Sequence, residues 1–324
     1  MTMLEAARLY GLVAKDLQQV EETLKEVSQV EYEWLASLTK QVLGSSGKRM
    51  RPVLTLLSGK FAHFNPALHI PMGTAVELLH TATLVHDDTL DKALLRRGNS
   101  TVNHVWNDGV AVLFGDYLFA ASAAMVARTA NVRAMTLFAE TLRVVCSGEL
   151  AQQFGAFNWQ ITREQYYQRI GQKTAALFAM ATESGAVLSD APEEWVQALR
   201  QYGYDLGVAF QIIDDILDLS SNDAALGKPA GSDLREGTLT LPGILLAEQN
   251  PNDNPVRRLF EQEKSLRDVP QAVESIRKSD ALRQAREIAV EFCESAVKQL
   301  AVLPDTEIKH ALSQAPRFVL DRSK

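Results

Sequence analysis

Two stretches of this sequence repeat one acidic pattern, Asp87-Asp88-Thr89-Leu90-Asp91 and Asp214-Asp215-Ile216-Leu217-Asp218. Both follow apolar runs (HTATLV and GVAFQII) of helical period. Positions three or four apart share a helix face, so each stretch gathers carboxylates at i, i+1 and i+4. Like charges collected at the end of an apolar helix repel one another and are costly to take out of water, so something positive must sit there. Oxygen ligands without Cys and with little His suit a hard ion. Mg²⁺ in particular takes one or two carboxylates and completes its shell with waters and phosphate oxygens. Asp87, Asp88, Asp91, Asp214, Asp215 and Asp218 are therefore candidate metal ligands, suited to clamping a diphosphate between the two motifs. A solvated acidic helix end would explain one such motif; two copies on apolar helices argue against it.

Basic residues gather near the same points: Lys48, Arg49 and Arg51 beside Gly47, Arg96 and Arg97 just after the first motif, Lys173 within a helical run, and Lys228 and Arg235 after the second. Arg offers a planar fork of donors and Lys a compact charge, both suited to phosphate oxygens, while Gly47 lets backbone approach closely. Taken singly, each of these is a surface charge. Their grouping around the acidic motifs points to a second diphosphate bound beside the first. His80 reads either as a satisfied core histidine or as a site residue. Asp116 and Glu149 read as hydrogen-bonded groups in apolar helices, with no catalytic role.

Helices must position these residues. Only 18 Gly and 11 Pro occur in 324 residues, fewer breakers than a loop-rich or all-β protein carries, and 46% hydrophobic residues supply ample core. Apolar periodicity predicts two helices over 4–43, then helices over 53–64, 72–91, 110–130, 132–155, 163–185 and 192–219, separated by short polar or Gly/Pro clusters. The stretch SSNDAALGKPAGSDLREG after Leu219 is a candidate lid or ligand loop. The remainder is again helical in period, with no composition shift, so residues 1–324 read as one all-α domain. The net charge of −7 opposes nucleic acid as a partner. Two widely separated cysteines exclude a disulfide framework. Charges every few residues at the N-terminal end, and no later apolar stretch of membrane-spanning length, predict a cytoplasmic protein without a membrane span.

The chain resembles the trans-isoprenyl diphosphate synthases over most of its length. The likeness runs through GKRMRP at 47–52, ELLHTATLVHDDTLDKALLRRG at 77–98, TVNHVW at 101–106, FGDYLF at 114–119, GELAQQ at 148–153, KTAALF at 173–178, GVAFQIIDDILD at 207–218 and GKPAGSDLREGTLTLP at 227–242. The resemblance implies a large helical bundle around a central cavity, a homodimer and about three Mg²⁺ per active site. It places isopentenyl diphosphate on Gly47, Lys48, Arg51, His80 and Arg97. An allylic diphosphate is implied on Mg²⁺ held by Asp87, Asp88, Asp91 and Asp214, with Asp215 and Asp218 supporting, and directly on Arg96, Lys173 and Lys228. Thr174 and Gln211 are implied to face the reacting carbon and stabilise developing positive charge. The tail from Ala315 to Lys324 resembles basic family C-termini that help close the site; it also reads as a frayed surface tail.

One position departs from the pattern. Many members carry Gly-Lys-x-Thr where this chain has Gly237-Thr238-Leu239-Thr240, so a lysine contact to the allylic diphosphate is missing, with Lys228 or Arg235 as substitutes. The implied chemistry is ionisation of the allylic diphosphate, attack by the double bond of isopentenyl diphosphate and loss of a proton to the released pyrophosphate. A terpene cyclase would share the metal cluster but needs no second diphosphate site, which GKRMRP and Arg97 supply. A non-catalytic subunit of a heteromeric synthase would lack acids in one or both motifs, and all six are present.

In this family bulky residues before the first acidic motif limit product length. Ala82 and Thr83 lie just upstream of Asp87, Leu78 and Leu79 a turn further, and Ala75 and Val76 another, so these residues line roughly one face. The small first layer leaves a channel of about 18 Å from Asp87 to Ala75, which exceeds a fifteen-carbon chain and predicts an all-trans product of roughly thirty to fifty carbons. Closure by Leu78, Leu79 or Phe114 would instead stop growth at twenty, the geranylgeranyl length. Ala82→Phe should shift the product toward fifteen carbons, because an overpacked chain is released sooner than it is accommodated. Chromatography of dephosphorylated products checks this; an unchanged product refutes the channel assignment.

Overall fold

The apolar spacing read along the sequence becomes a succession of helices. The computed structural model describes residues 9–44, 47–96, 98–220, 230–250, 254–261 and 268–322. In chain order the helices are α1 Ala14–Val27, α2 Glu33–Leu43, α3 Met50–Gly59, α4 Pro66–Leu90, α5 Val102–Val105, α6 Asp108–Ala127, α7 Val132–Phe154, α8 Arg163–Ile170, α9 Ala176–Leu188 and α10 Glu193–Ser220. After the second acidic motif come α11 Ser232–Arg235, α12 Leu241–Gln249, α13 Pro255–Glu261, α14 Val269–Lys278, α15 Ala281–Gln299 and α16 Glu307–Leu320. The chain divides into two compact units, one of Met1–Leu142, Leu177–Gly203 and Val297–Ala315, the other of Arg143–Ala176, Tyr204–Ala296 and Pro316–Lys324.

In the first unit, α4 carries the first acidic motif. The Asn65 side chain caps it by accepting from Ala67 N at 3.0 Å, and Pro66 occupies its first turn, where a missing N–H costs nothing. His69 to Leu79 is buried on every side. Met72, Ala75, Val76 and Leu79 pack with Val126, Phe138, Leu177, Met180 and Leu188 in one core cluster. The apolar stripe of a surface helix is therefore replaced by an all-round apolar surface, as a central helix requires. Its end is pinned where His86 lies against Gly115 of α6, its Nε2 3.0 Å from the Val112 carbonyl. Between α4 and α5 the chain closes as a two-stranded ribbon, β1 Leu95–Arg96 with β2 Asn99–Ser100, with Gly98 at φ 79°.

Helix α6 departs from the expectation that no segment has membrane-spanning character. By length and composition its 20 residues would suffice to cross a membrane, and a third of the apolar window is buried within this chain. Val112 and Leu113 are exposed on it, as are Ala120, Ala123, Ala124 and Ala127.

In the second unit, the single helix expected over 163–185 breaks into α8, a wide π turn at Gly171–Ala175, and α9, which continues into the first unit. A capping box between Thr162 and Gln165 starts α8. The π turn carries Lys173 and Thr174, and such turns re-aim side chains within a helix. Glycine makes room for it: a Cβ on Gly148 of α7 would lie 2.8 Å from Gln172 Cβ and 3.1 Å from Lys173 N. The second acidic motif ends α10, whose Ile212, Ile213 and Leu219 are buried around it. Helix α15 packs with Ala281, Ala285, Ala289, Cys293 and Ala296, a stripe of small residues at near-helical repeat.

Glycine also sets a close helix crossing in the first unit. A Cβ on Gly185 of α9 would lie 2.2 Å from the Thr55 carbonyl oxygen and 3.0 Å from Gly59 N, so α9 meets α3 backbone to backbone. Gly185→Ala should therefore destabilise the protein by at least about 2 kcal/mol, since neither backbone yields as a side chain would. Urea unfolding checks this; a wild-type midpoint would show that the crossing relaxes.

Candidate active site

The turn before α3 is built around Arg49, which adopts a left-handed backbone with φ 46°. Its guanidinium bonds Glu21 Oε1 at 2.6 Å, Glu77 Oε1 at 2.8 Å and the Leu43 carbonyl at 2.8 Å. Burial opposes its charge, but the Glu21 and Glu77 carboxylates hold its pKa above the usual arginine range. Arg49 thus anchors the turn and leaves its neighbours to other work. Gly47 and Lys48 lie just before it, with Lys48 exposed and its carbonyl accepting from the Tyr10 hydroxyl. Arg51 is buried, its guanidinium 4.4 Å above the Phe178 ring. His80 is half-buried on α4. Arg97 lies outside the described residues.

At the first acidic motif, Asp87 and Asp91 are half-buried and Asp88 is buried. Arg96 Nε sits 2.8 and 2.7 Å from the two Asp88 oxygens. Burial works against the Arg96 charge, and Asp88, then Asp87 and Asp91, hold its pKa up. Arg96, expected on the diphosphate, and Asp88, expected on the metal, here satisfy each other, because a buried carboxylate needs a cation whether or not a ligand is bound. Upstream, Ala82, Leu78 and Leu79 are fully buried and Thr83 is half-buried, bonding the His80 carbonyl. Phe114 is buried and stacks on Tyr117.

The second motif divides its three acids in the same manner. Asp215 is buried, with Tyr166 Oη donating to Oδ2 at 2.6 Å and Gln211 Nε2 to Oδ1 at 2.8 Å. Thr174 Oγ1 donates to Gln211 Oε1 at 2.7 Å, which fixes that amide and completes the chain Thr174–Gln211–Asp215–Tyr166. Burial pushes the Asp215 carboxyl up against the Tyr166 and Gln211 bonds. Asp218 accepts from Ser232 N and Oγ at 3.1 and 2.6 Å and from Asp233 N, so it caps α11. Asp233 is itself raised well above the ordinary carboxylate range by desolvation, then by Asp218 and Asp215. Asp214 remains, its side chain 35% exposed and 2.8 Å from Arg322 Nη1. Lys173, a quarter exposed, pairs with Glu149 at 2.5 Å. Lys228 lies outside the described residues, and Thr238 is buried with its N–H on the Asp233 carbonyl at 2.7 Å.

Among the described residues no three acidic, His or Cys side chains already converge as a metal cage. The expected triads are drawn apart by protein donors: Arg96 on Asp88, Tyr166 and Gln211 on Asp215, Ser232 and Asp233 on Asp218. The arrangement still fits Mg²⁺, which needs only one or two carboxylates beside waters and phosphate oxygens. A guanidinium already stands at Asp214, so that carboxylate is placed to face a cation. Sequence reasoning missed Tyr166 and Asp233, read the tail that holds Arg322 both as closing the site and as a frayed surface tail, and gave Glu149 no role. Their partners lie far off in sequence, 49 residues between Tyr166 and Asp215, so local pattern carried no signal.

The family model described as Polyprenyl synthetase matches residues 32–276. The chain is 34% identical to "Heptaprenyl diphosphate synthase component 2" of Bacillus subtilis (strain 168), over 96% of this chain and 89% of that one. It is similar in structure to a decaprenyl diphosphate synthase from Rhodobacter capsulatus, with TM-score 0.91 and 35% identity over 98% of this chain and 99% of that one. A polyprenyl synthase from Caulobacter crescentus CB15, complexed with calcium and isoprenyl diphosphate, aligns with TM-score 0.93 and 32% identity over 98% of each chain.

Tyr166→Phe removes the hydroxyl donated to buried Asp215 without changing the ring. Leaving that oxygen unsatisfied should cost about 1–3 kcal/mol of stability. Guanidinium unfolding measures the loss; a wild-type free energy would mean that another donor replaces the hydroxyl.

Proposed function

The chain belongs to the polyprenyl synthetase family and is a trans-prenyltransferase; from that premise we propose that it extends an allylic diphosphate with isopentenyl diphosphate, using Mg²⁺, to an all-trans polyprenyl diphosphate. The observation that carries the reading is the division of labour within each acidic motif. Asp88, Asp215 and Asp218 are held by the protein's own donors, whereas Asp214, beside Arg322, keeps a side chain 35% exposed. Asp87, Asp91 and Asp214 are the residues that would hold Mg²⁺. When bound, the metal neutralises charge that gathers on the diphosphate leaving group.

The chain's own groups do the rest. Lys173, oriented by Glu149, offers an ammonium to the allylic diphosphate. The Thr174 hydroxyl donates to Gln211 yet keeps lone pairs, and these stabilise positive charge growing on the ionising carbon. Lys48, in the turn fixed by Arg49, and Arg51, buried on Phe178, hold the diphosphate of isopentenyl diphosphate. No side-chain nucleophile is required, because the substrate's double bond forms the new carbon–carbon bond.

A long product of roughly thirty to fifty carbons is supported by the relatives named for heptaprenyl and decaprenyl products and by the small Ala82 layer, beyond which α4 rises about 1.5 Å per residue toward Ala75. Leu78, Leu79 and the cluster around Phe138 are the groups that would stop the chain. A homodimer is supported by apolar side chains left in water, Val112 and Leu113 on α6 and Val132, Met135, Leu150 and Phe154 on α7. A cytoplasmic location agrees with two free thiols, Cys146 and Cys293.

Purified protein incubated with Mg²⁺, radiolabelled isopentenyl diphosphate and each allylic primer should yield chains longer than twenty carbons. Asp87→Ala and Asp214→Ala should lower turnover by orders of magnitude with unchanged circular dichroism, because each removes a metal ligand at the leaving group. Near wild-type turnover in both variants would refute the metal assignment.

A further inference from the structure

The turn that carries Lys48 and Arg51 is held from outside. Arg49, between them, takes a left-handed backbone with φ 46° and ψ 34°, a conformation that a residue with a Cβ keeps only when its surroundings enforce it. The contacts of its guanidinium enforce it here. Of the two carboxylates, Glu21 on α1 has a side chain 37% exposed, so water screens that pair, whereas Glu77 on α4 has a side chain only 7% exposed and lies 2.8 Å from Nη1. A guanidinium that is itself only 10% exposed therefore relies chiefly on Glu77 to offset its lost hydration.

The same carboxylate stands close to a second fastening. The Tyr10 hydroxyl donates to the Lys48 carbonyl, and burial, then the Glu77 charge, pushes its pKa up to about 12, which keeps the phenol a donor. On α4, Glu77 lies three residues before His80, and positions three apart share one helix face. Glu77 is thus the point where the two segments assigned to isopentenyl diphosphate meet: Lys48 and Arg51 flank its partner Arg49, and His80 lies one turn along its own helix.

We propose that Glu77 is a positioning residue for isopentenyl diphosphate, a buried carboxylate that acts through Arg49 to fix the turn bearing Lys48 and Arg51 against the face of α4 bearing His80. The inference rests on the reading that these three residues hold that substrate. Glu77 itself has no contact with the diphosphate, whose charge its carboxylate would repel. Removing the Glu77 charge leaves the buried guanidinium to Glu21 and the Leu43 carbonyl, so residue 49 relaxes from the left-handed region and the cations on either side shift relative to His80. The allylic diphosphate is spared. Its first acidic residue, Asp87, lies ten residues further along α4, about 15 Å at 1.5 Å per residue.

Full-length wild type, Glu77→Gln, Glu77→Asp, Arg49→Gln and the variant carrying both glutamines would be compared by saturation with each substrate in Mg²⁺, with circular dichroism to follow the fold. Glu77→Gln should raise the KM for isopentenyl diphosphate about tenfold, the loss of roughly one charge-assisted hydrogen bond, while the KM for the allylic diphosphate stays within about twofold of wild type. Glu77→Asp keeps the charge but withdraws it by one methylene, and should raise the same KM by only about threefold. Because Glu77 acts through Arg49, the double variant should be no worse than Arg49→Gln alone. An unchanged KM for isopentenyl diphosphate, an equal rise in both KM values or additive effects in the double variant would each overturn the proposal. If Glu77→Gln does not fold, Glu77→Asp decides, and a wild-type KM there, or loss of fold in both, makes Glu77 a structural residue only. Wild-type protein that does not extend an allylic primer would refute the proposed function itself, whereas normal wild-type turnover with an indifferent Glu77→Gln refutes the glutamate alone.

Discussion

A carboxylate held out of water must have a partner, and two clusters of carboxylates on apolar helices make that requirement the constraint around which this protein is arranged. Asp88 and Asp215 sit deepest. The first is met by a full cation, Arg96; the second by two neutral donors, Tyr166 and Gln211. The consequences differ. A guanidinium stands on both Asp88 oxygens, whereas at Asp215 burial pushes the carboxyl up against its two neutral donors. The first motif thus spends Asp88 on the protein, and the second spends Asp215 and Asp218.

That arrangement depends on backbone placement. The Asp215 chain requires the π turn at Gly171–Ala175, which brings Thr174 to Gln211 and Lys173 to Glu149. The turn requires Gly148, since a side chain there would strike Gln172 and the Lys173 amide. In the first unit Arg49 plays the corresponding part. Two glutamates and a carbonyl hold its strained turn, and so define where Lys48 and Arg51 begin. Polar satisfaction and close packing are therefore one problem in both units: groups are satisfied because helices approach closely enough to satisfy them.

Helix α6 and both ends of α7 show the opposite case. Val112, Leu113, Val132, Leu150 and Phe154 remain in water. Each of these side chains forgoes the stabilisation that burial of its apolar area would give. The composition that gives α6 membrane-spanning character is the same composition that suits packing against another apolar helix.

The helices, their separators and both acidic motifs were legible in the sequence, because apolar periodicity and i, i+4 spacing are local properties that survive without knowledge of the fold. The chemistry of a hard cation facing phosphate was legible for the same reason, since six aspartates in two copies of one pattern carry it. What each acid does was decided by tertiary structure. Nothing near Asp215 announces Tyr166, nothing near Lys173 announces Glu149, and nothing near Asp214 announces Arg322, because these partners are brought together by packing across tens or a hundred residues of chain. The ribbon at Gly98 and the π turn were likewise hidden, each replacing a simpler local preference where Arg96 meets Asp88, eight residues back, and Lys173 meets Glu149. Local spacing determines which groups are available; only the fold determines which of them are already satisfied.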